Sequence, residues 1–413
     1  MKKLPLYQLI TINFYWLGLS FMWNSLHPIV LPAVLLHLVP DALKNTYLGV
    51  LSFAGLLLAM VIQPVSGAAS DGWRSRWGRR RPLVLFGTLL DFLFLALLAW
   101  SGNFLVVIIG YIGLQIASNI AHGPMQGLIP DLVPPEQMGA ASGIKNLMDM
   151  GGLIIASLAA GSLLAPDARY PTAIMLVVIA VLALSAAVTF LTTREQPTSQ
   201  EARDRNHVVV ASVFRVDLRA NRDFFWLIGS RLIFLFGVYG VQTFAQYFIR
   251  DVMRAPNPVK ATGDLMAALA LALVACSVLG GWLTDRFGAR RVLLIASILS
   301  AAGCFLLAGA RDLAALTMYA GVLGAGIGFY LTANWALASR LAPRAEAGKF
   351  LGLTNLATAG ASALSKLAGI PIDLANSAYP GRFIGYTGLF IVGGVCTLLS
   401  LLLLVKVNDQ PLA

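Results

Sequence analysis

The chain reads as a succession of long apolar stretches separated by short polar joints. A helix of about 20 apolar residues matches the hydrocarbon layer of a bilayer, where every backbone N–H and C=O must be paired inside its own segment. Twelve stretches fit, at 6 to 37, 45 to 69, 82 to 101, 104 to 129, 137 to 164, 170 to 193, 222 to 249, 262 to 284, 291 to 309, 313 to 338, 347 to 372 and 382 to 406. The pattern predicts an all-α membrane protein of twelve transmembrane helices in two six-helix bundles, 1–193 and 222–413. A polar segment of mixed charge, 194–221, links them. The first stretch follows Lys2 and Lys3 as a signal peptide would, but it is far too long and lacks an A-x-A cleavage site, so it is expected to remain as the first span.

Polar residues inside the stretches fall on stripes. Asn13, Ser20, Asn24 and His27 recur along the first span, and Gln115, Asn119, His122 and Gln126 along the fourth. The seventh carries Arg231, Tyr239, Gln242 and Gln246, and the tenth Tyr330 and Asn334 with Trp335 beside them. Each spacing keeps its set on one face of a 3.6-residue helix. Amide and charged groups are costly in hydrocarbon, so these faces are expected to turn toward the bundle interior or a water-filled cavity. The candidate cavity residues are therefore Asn24, His27, Asn119, His122, Gln126, Arg231, Tyr239, Gln242, Gln246, Tyr330, Asn334 and Trp335. The same side chains could instead cross-link helices, a role worth roughly 0.6 to 2 kcal/mol each. Amides donate and accept at once and flat rings cover C–H faces, which favours a neutral solute with many hydroxyls. An anionic solute would call for several Lys or Arg in the stripes, and only Arg231 is there.

Four charged residues lie deep in the stretches. Asp149 sits about 12 residues into the fifth span, about 18 Å along the helix, which makes it the coupling candidate, able to carry a proton or pair with a cation. The alternative is a structural pair with Lys145 four residues earlier. Asp91 in the third span is expected to pair between helices. Lys366 either pairs structurally or lines the path, and Arg231 either partners Asp149 or anchors the solute.

Composition narrows the function. Hydrophobic residues make up 58% and charged residues 12% of the 413, against about 25% charged in soluble domains, so a soluble globule is excluded. The linker is too short and polar to form a catalytic domain. There is no phosphate-cradling G-x-x-x-x-G-K-(S/T) and no HExxH. Cys276, Cys304 and Cys396 lie in apolar runs, and the four histidines are dispersed, so no enzyme chemistry, cofactor or metal site is expected. The net charge of +11 reads as topology: with the N-terminus inside, 21 of the 30 Lys and Arg fall on the inner side, 7 on the outer and 2 within spans. That bias places both termini and the linker in the cytoplasm. The charges are spread over loops and form no nucleic-acid patch.

The two halves repeat. Gly67 to Asp71 ends the second span and Gly281 to Asp285 the eighth, an offset of 214, and Gly78, Arg80 and Arg81 match Gly288, Arg290 and Arg291 at 210. Gly139, Gly143, Asn146 and Gly151 match Gly348, Gly352, Asn355 and Gly360 at a constant 209. Parallel halves of this kind are a transporter design, with the solute site near the midplane between them. The two loops resemble the G-x-x-x-D-(R/K)-x-G-R-(R/K) signature of the major facilitator superfamily. In the first copy Gly72 stands where a basic residue is usual, and the basic cluster moves to Arg79, Arg80 and Arg81.

The longer first loop and the stretch Asn119 to Asp131 are similar to the branch holding the glycoside-pentoside-hexuronide:cation symporters and sucrose transporters. Gln115 and Gln126 stand where that branch has Asp and Arg, and the first span has no acidic residue. The resemblance implies alternating access, with spans one, four, seven and ten lining the cavity. It also implies a cytoplasmic gate at Asp71, Arg79, Arg80, Arg81, Asp285, Arg286, Arg290 and Arg291. The expected function is secondary transport of a small polar solute, a sugar or glycoside, by symport with a proton or sodium ion. The alternatives are an efflux pump for amphipathic compounds and a non-transporting membrane sensor of the same fold. The expected setting is a multi-pass monomer in the cell inner membrane, with a solute, a coupling cation and the lipid bilayer as its partners.

Overall fold

A computed structural model describes residues 3–73, 75–165, 170–193, 195, 221–343 and 347–407, without the side chains of 347–349. The linker reading at 194–221 lies outside the described residues apart from Glu195 and Asn221. All regular structure among them is helical. Eleven helical segments are long and apolar enough to cross a membrane.

The first half begins with α1, Leu6–Ser25, which continues through a π-helical turn, Leu26–Val30, into α2, Leu31–Leu35. The π turn contains Pro28, which has no N–H to give and so disturbs the regular ladder. Next come α3, Lys44–Asp71, α4, Arg81–Ala99, and α5, Phe104–Leu132. They are followed by α6, Met138–Leu163, and α7, Thr172–Thr192.

The second half holds α8, Arg222–Asp251, α9, Pro258–Phe287, α10, Ala289–Ala308, and α11, Leu313–Leu341. It ends with α12, Ala347–Lys366, α13, Gly369–Ala378, and α14, Ile384–Leu404. The eleventh stretch marked in the sequence is thus two helices, α12 and α13, separated at Leu367 and Ala368.

The repeat extends to details of local structure. Asn103 and Asp312, 209 residues apart, each cap a helix by accepting a backbone N–H: Val106 at 3.0 Å for α5 and Ala315 at 2.8 Å for α11. Gly78 and Gly288, the glycines of the two loop signatures, have φ of 97° and 87°. That left-handed region suits glycine, because a Cβ would clash there. The motif glycines thus turn the chain sharply into α4 and α10.

By contacts the chain divides into two units, Met1–Val39 with Ala54–His207, and Pro40–Phe53 with Val208–Ala413. In the first unit α1 packs on α6 and α7, and α4 on α5. In the second α9 and α10 pack on α11, and α14 on α8 and α10. Small residues permit close approach: a Cβ on Gly328 would meet the Leu273 carbonyl oxygen of α9 at 2.3 Å. The run Gly321 to Gly328 is therefore largely a packing surface. The start of α3 is held in the second unit by an ionic cluster. Lys44 Nζ lies 2.7 Å from Asp251, whose carboxylate also accepts the Tyr386 hydroxyl at 2.8 Å. Asp373 accepts the Asn45 side-chain amide at 2.7 Å and the Thr46 backbone N–H at 2.6 Å, which caps α3 with a carboxylate at its positive end.

Candidate functional site

In the first unit the stripes of α1 and α5 meet as an antiparallel ladder. Trp16 packs edge-on against His122 with ring centres 5.1 Å apart. Trp23 Nε1 donates to Ser118 Oγ at 3.2 Å, and His27 Nε2 shares a hydrogen bond with the Tyr111 hydroxyl at 2.9 Å. Residue numbers rise along α1 as they fall along α5, so the rungs are in register. His27 also stacks on Trp23 at 4.8 Å. Gln115 Nε2 donates to Tyr111 at 2.8 Å, and Asn119 Nδ2 donates to the Gln115 carbonyl at 2.8 Å.

Burial along the ladder is graded. Asn13, Gln115 and Asn119 are buried, Asn24, His27 and His122 are half-buried, and Gln126 is exposed with its amide 3.3 Å from His122 Nε2. Tyr111 lies four residues before Gln115, so the same helical spacing that marked the stripe would have found it. Trp23 and Ser118 carried no such signal.

Asp149 accepts from Lys145 Nζ at 2.6 Å, and Lys145 also lies 4.1 Å from the Trp16 ring centre. The backbone oxygen of Asp149 accepts Ser20 Oγ at 2.6 Å, which ties α6 to α1. The carboxylate therefore sits beside the ladder, already paired within its own helix.

In the second unit Arg231 is buried. Its Nε donates to Thr358 Oγ1 at 2.8 Å and its Nη1 to Asn334 Oδ1 at 2.7 Å, so it joins α8, α11 and α12. Among the described residues its hydrogen-bond partners are Thr358 and Asn334, and Asp149 is instead paired with Lys145. The Tyr330 hydroxyl pairs with Ser230 at 2.9 Å, and its ring stacks on Phe234 at 3.6 Å. Tyr239 and Gln242 are half-buried, Gln246 is buried, and Trp335 is exposed.

The two signature loops behave differently. In the first, Arg80 pairs with Asp71 at 2.7 Å and with Asp131 at 2.9 Å, and Arg79 also binds Asp131. The Arg80 backbone N–H donates to Glu195 at 2.9 Å, and Arg81 donates to the Phe190 carbonyl at 2.6 Å. Burial works against the Arg79 charge, but the hydrogen bond to Asp131 and the charges of Asp131, Asp71 and Glu195 together outweigh it and raise its pKa. Asp131 is thus the hub, sitting at the end of the Asn119 to Asp131 stretch. In the second loop Asp285 makes no ion pair among the described residues. Arg286 lies over Trp282 at 5.3 Å, Arg290 donates to the Val405 carbonyl at 2.7 Å, and Arg291 makes no ion pair among the described residues.

The Major Facilitator Superfamily profile matches residues 9–365 and 257–412, nearly the whole chain. The chain belongs to that superfamily. It is accordingly a membrane transporter and not an enzyme. The rice sucrose transport protein SUT4 is 29% identical over 112 residues, which are 22% of this chain and 19% of that protein. The match therefore spans about a fifth of the sucrose transporter. The multi-drug resistance efflux pump PmrA of Streptococcus pneumoniae is 23% identical over 94% of this chain and 93% of its own. Among solved structures, a D-xylose-proton symporter superposes with a TM-score of 0.73 at 17% identity, covering 99% of this chain and 100% of the other. The nucleoside transporter NupG also gives 0.73, at 12% identity, covering 97% of this chain and 99% of the other.

Two expectations for this superfamily member are corrected by the structure. Asp91 is fully buried, yet neither carboxyl oxygen has a hydrogen-bond partner among the described residues. One turn earlier on α4, at Gly87, the neighbouring α5 packs with Ala117 and Ala121. Lys366, which the sequence favoured as a structural ion pair, donates to the Thr243 hydroxyl and meets no carboxylate among the described residues.

Proposed function

We propose that this transporter moves a small polar solute, a sugar or glycoside, by alternating access of two six-helix bundles, 1–193 and 222–413, with a proton or sodium ion as the coupling cation. The observation that carries this reading is the α1–α5 ladder, in which amides, imidazoles and indoles line one seam and Asn24, His27 and His122 stay half-buried. Such groups both donate and accept, which matches vicinal hydroxyls, and the Trp23–His27 stack offers a flat face for C–H groups. The second unit holds a polar cluster of its own in Arg231, Asn334, Tyr330 and Ser230. Asp149 is the coupling candidate, because binding of a proton or sodium ion there would compete with Lys145.

The basic excess on one side supports an inner-membrane protein with both termini in the cytoplasm. In that orientation Asp71, Arg79, Arg80, Arg81, Asp285, Arg286, Arg290 and Arg291 form the inner gate. The partial matches to sucrose transporters favour a sugar. A second reading, efflux of amphipathic compounds, has its own support in the pump-like relative that covers 94% of the chain.

Uptake of labelled disaccharides into proteoliposomes, with and without an imposed pH or sodium gradient, tests the proposal. Saturable, gradient-stimulated flux is expected. No saturable flux of any sugar, together with outward movement of amphipathic dyes, would replace the first reading by the second.

A further inference from the structure

We propose that Asp91 is a proton-binding site, holding its proton in the conformation described here, separate from the candidate coupling group Asp149. The inference rests on the transport reading only for its role in the cycle, not for the site itself.

Asp91 lies on the buried face of α4, with Val84, Gly87, Thr88, Leu95 and Leu98. It is 0% exposed, and both Oδ1 and Oδ2 are without a hydrogen-bond partner among the described residues. An ionised carboxylate in an apolar interior requires a cation or several donors, and where none is supplied the group is retained in neutral form.

Every charged or titratable group on the helices packed around Asp91 is accounted for. On α1, the Tyr15 hydroxyl is engaged with Thr88 Oγ1 at 2.7 Å and Tyr7 is exposed. On α5, Tyr111 bonds to His27, His122 lies beside Gln126, and Asp131 holds Arg79 and Arg80. The helix α7 carries no titratable side chain at all. No Lys, Arg or His within 4 Å neutralises Asp91 among the described residues, whereas Asp149 has Lys145 at 2.6 Å. The two deep carboxyls of the first unit are therefore in opposite states: Asp149 ionised and paired, Asp91 neutral. One helical turn before Asp91, Thr88 pairs with the Tyr15 hydroxyl of α1, so this hydroxyl pair lies on the α4 face that carries the proton. Motion of α1 relative to α4 would make or break that pair, which links the proton to a helix movement.

Dicyclohexylcarbodiimide distinguishes the two carboxyls, because it enters hydrocarbon and reacts with carboxylic acids. The acid O–H adds across one C=N bond, the proton going to nitrogen and the carboxyl oxygen to the central carbon. The O-acylisourea then rearranges to a stable N-acylurea with no further reactant. Mass spectrometry of peptides from the full-length protein in detergent is expected to find the adduct on Asp91 and not on Asp149. A water-soluble carbodiimide should leave Asp91 unmodified. An infrared band of a protonated carboxyl should be present in the wild type and lost in Asp91→Asn.

For the role in transport, adding a transported sugar to weakly buffered protein should change the pH of the medium in the wild type, and at least tenfold less in Asp91→Asn. No adduct at Asp91, or labelling suppressed by sodium chloride but not choline chloride, overturns the proton site. An unaltered proton signal in the variant overturns its role in the cycle. If no sugar gives flux, the transport reading fails, while the adduct and the infrared band still decide Asp91.

Discussion

Replacing Lys44 by Met, Asp251 by Leu, and both together measures what the ionic cluster at the start of α3 contributes to the second unit. Side-chain exposure is 5% for Lys44 and 6% for Asp251, and the charged atoms are 2.7 Å apart. Removing one partner leaves the other buried charge with only a longer contact, Asp41 at 3.3 Å for Lys44 and Arg250 at 3.2 Å for Asp251, at a cost of about 3–5 kcal/mol. For a unit of this size each kcal/mol moves the melting temperature by about 2–4 °C, so each single variant should melt roughly 6 to 20 °C lower. The double variant replaces the pair with apolar groups and should recover most of that loss, because burying the pair gains little over burying hydrocarbon. Recovery is incomplete, since the Tyr386 hydroxyl loses its acceptor on Asp251. The adjoining pair of Arg250 with Asp41, at 2.6 Å, belongs to the same cluster and survives the change. Thermal unfolding in detergent, followed by tryptophan fluorescence, gives the three shifts. A coupling of at least about 2 kcal/mol between the two substitutions is expected. Shifts below about 1 kcal/mol that simply add would refute the reasoning and make the pair a solvated surface contact.

His27→Ala removes the hydrogen bond to Tyr111 and the stack on Trp23, worth about 1.4 kcal/mol or more, and should weaken solute binding about tenfold in calorimetric titration. Unchanged affinity would assign His27 to helix cross-linking. Asp149→Asn should abolish accumulation against a gradient while sparing counterflow; unaltered accumulation would place coupling elsewhere. Glu195 supplies a pH test. Burial raises its carboxyl above the usual range, more than the backbone N–H groups of Arg80 and Arg79 lower it. The folded state then holds the proton to higher pH than the unfolded state, so stability falls as pH rises from the unfolded value through the folded one. Glu195→Gln should flatten the melting temperature over that window, and an identical pH profile in the variant would contradict the assignment.

Much of the architecture was legible because a bilayer imposes one rule on every span. A stretch that must pair its own backbone shows itself as a long apolar run, and the repeated glycines, Asn146 with Asn355 and the basic loops exposed the duplication. The break between α12 and α13 was not legible, since Leu367-Ala368-Gly369 keeps the run apolar while the backbone turns. Within the site, helical spacing marked His27, Gln115, Asn119 and His122, because polarity in an apolar run is conspicuous. Spacing could not show which polar residues would find partners. Asp149 and Lys145 at i, i+4 were readable as a pair, whereas Asp91 was expected to pair and does not. Its isolation depends on what the neighbouring helices bring to it, a three-dimensional fact with no local trace. The cluster of Lys44, Asp251 and Asp373 joins positions more than 100 residues apart, so sequence patterning held no sign of it.

The central claim is that the α1 and α5 stripes border a water-filled passage, and the reactivity of single cysteines to a charged, membrane-impermeant thiol reagent tests it most directly. With Cys276, Cys304 and Cys396 replaced by Ser, cysteines at Asn24, His27, His122 and Gln126 should react, and transported solute should slow the reaction. A cysteine at Leu93, an exposed apolar position on α4, should stay unreactive in the bilayer. Inert cysteines at all four stripe positions, or reaction at Leu93 as fast as theirs, would contradict the account.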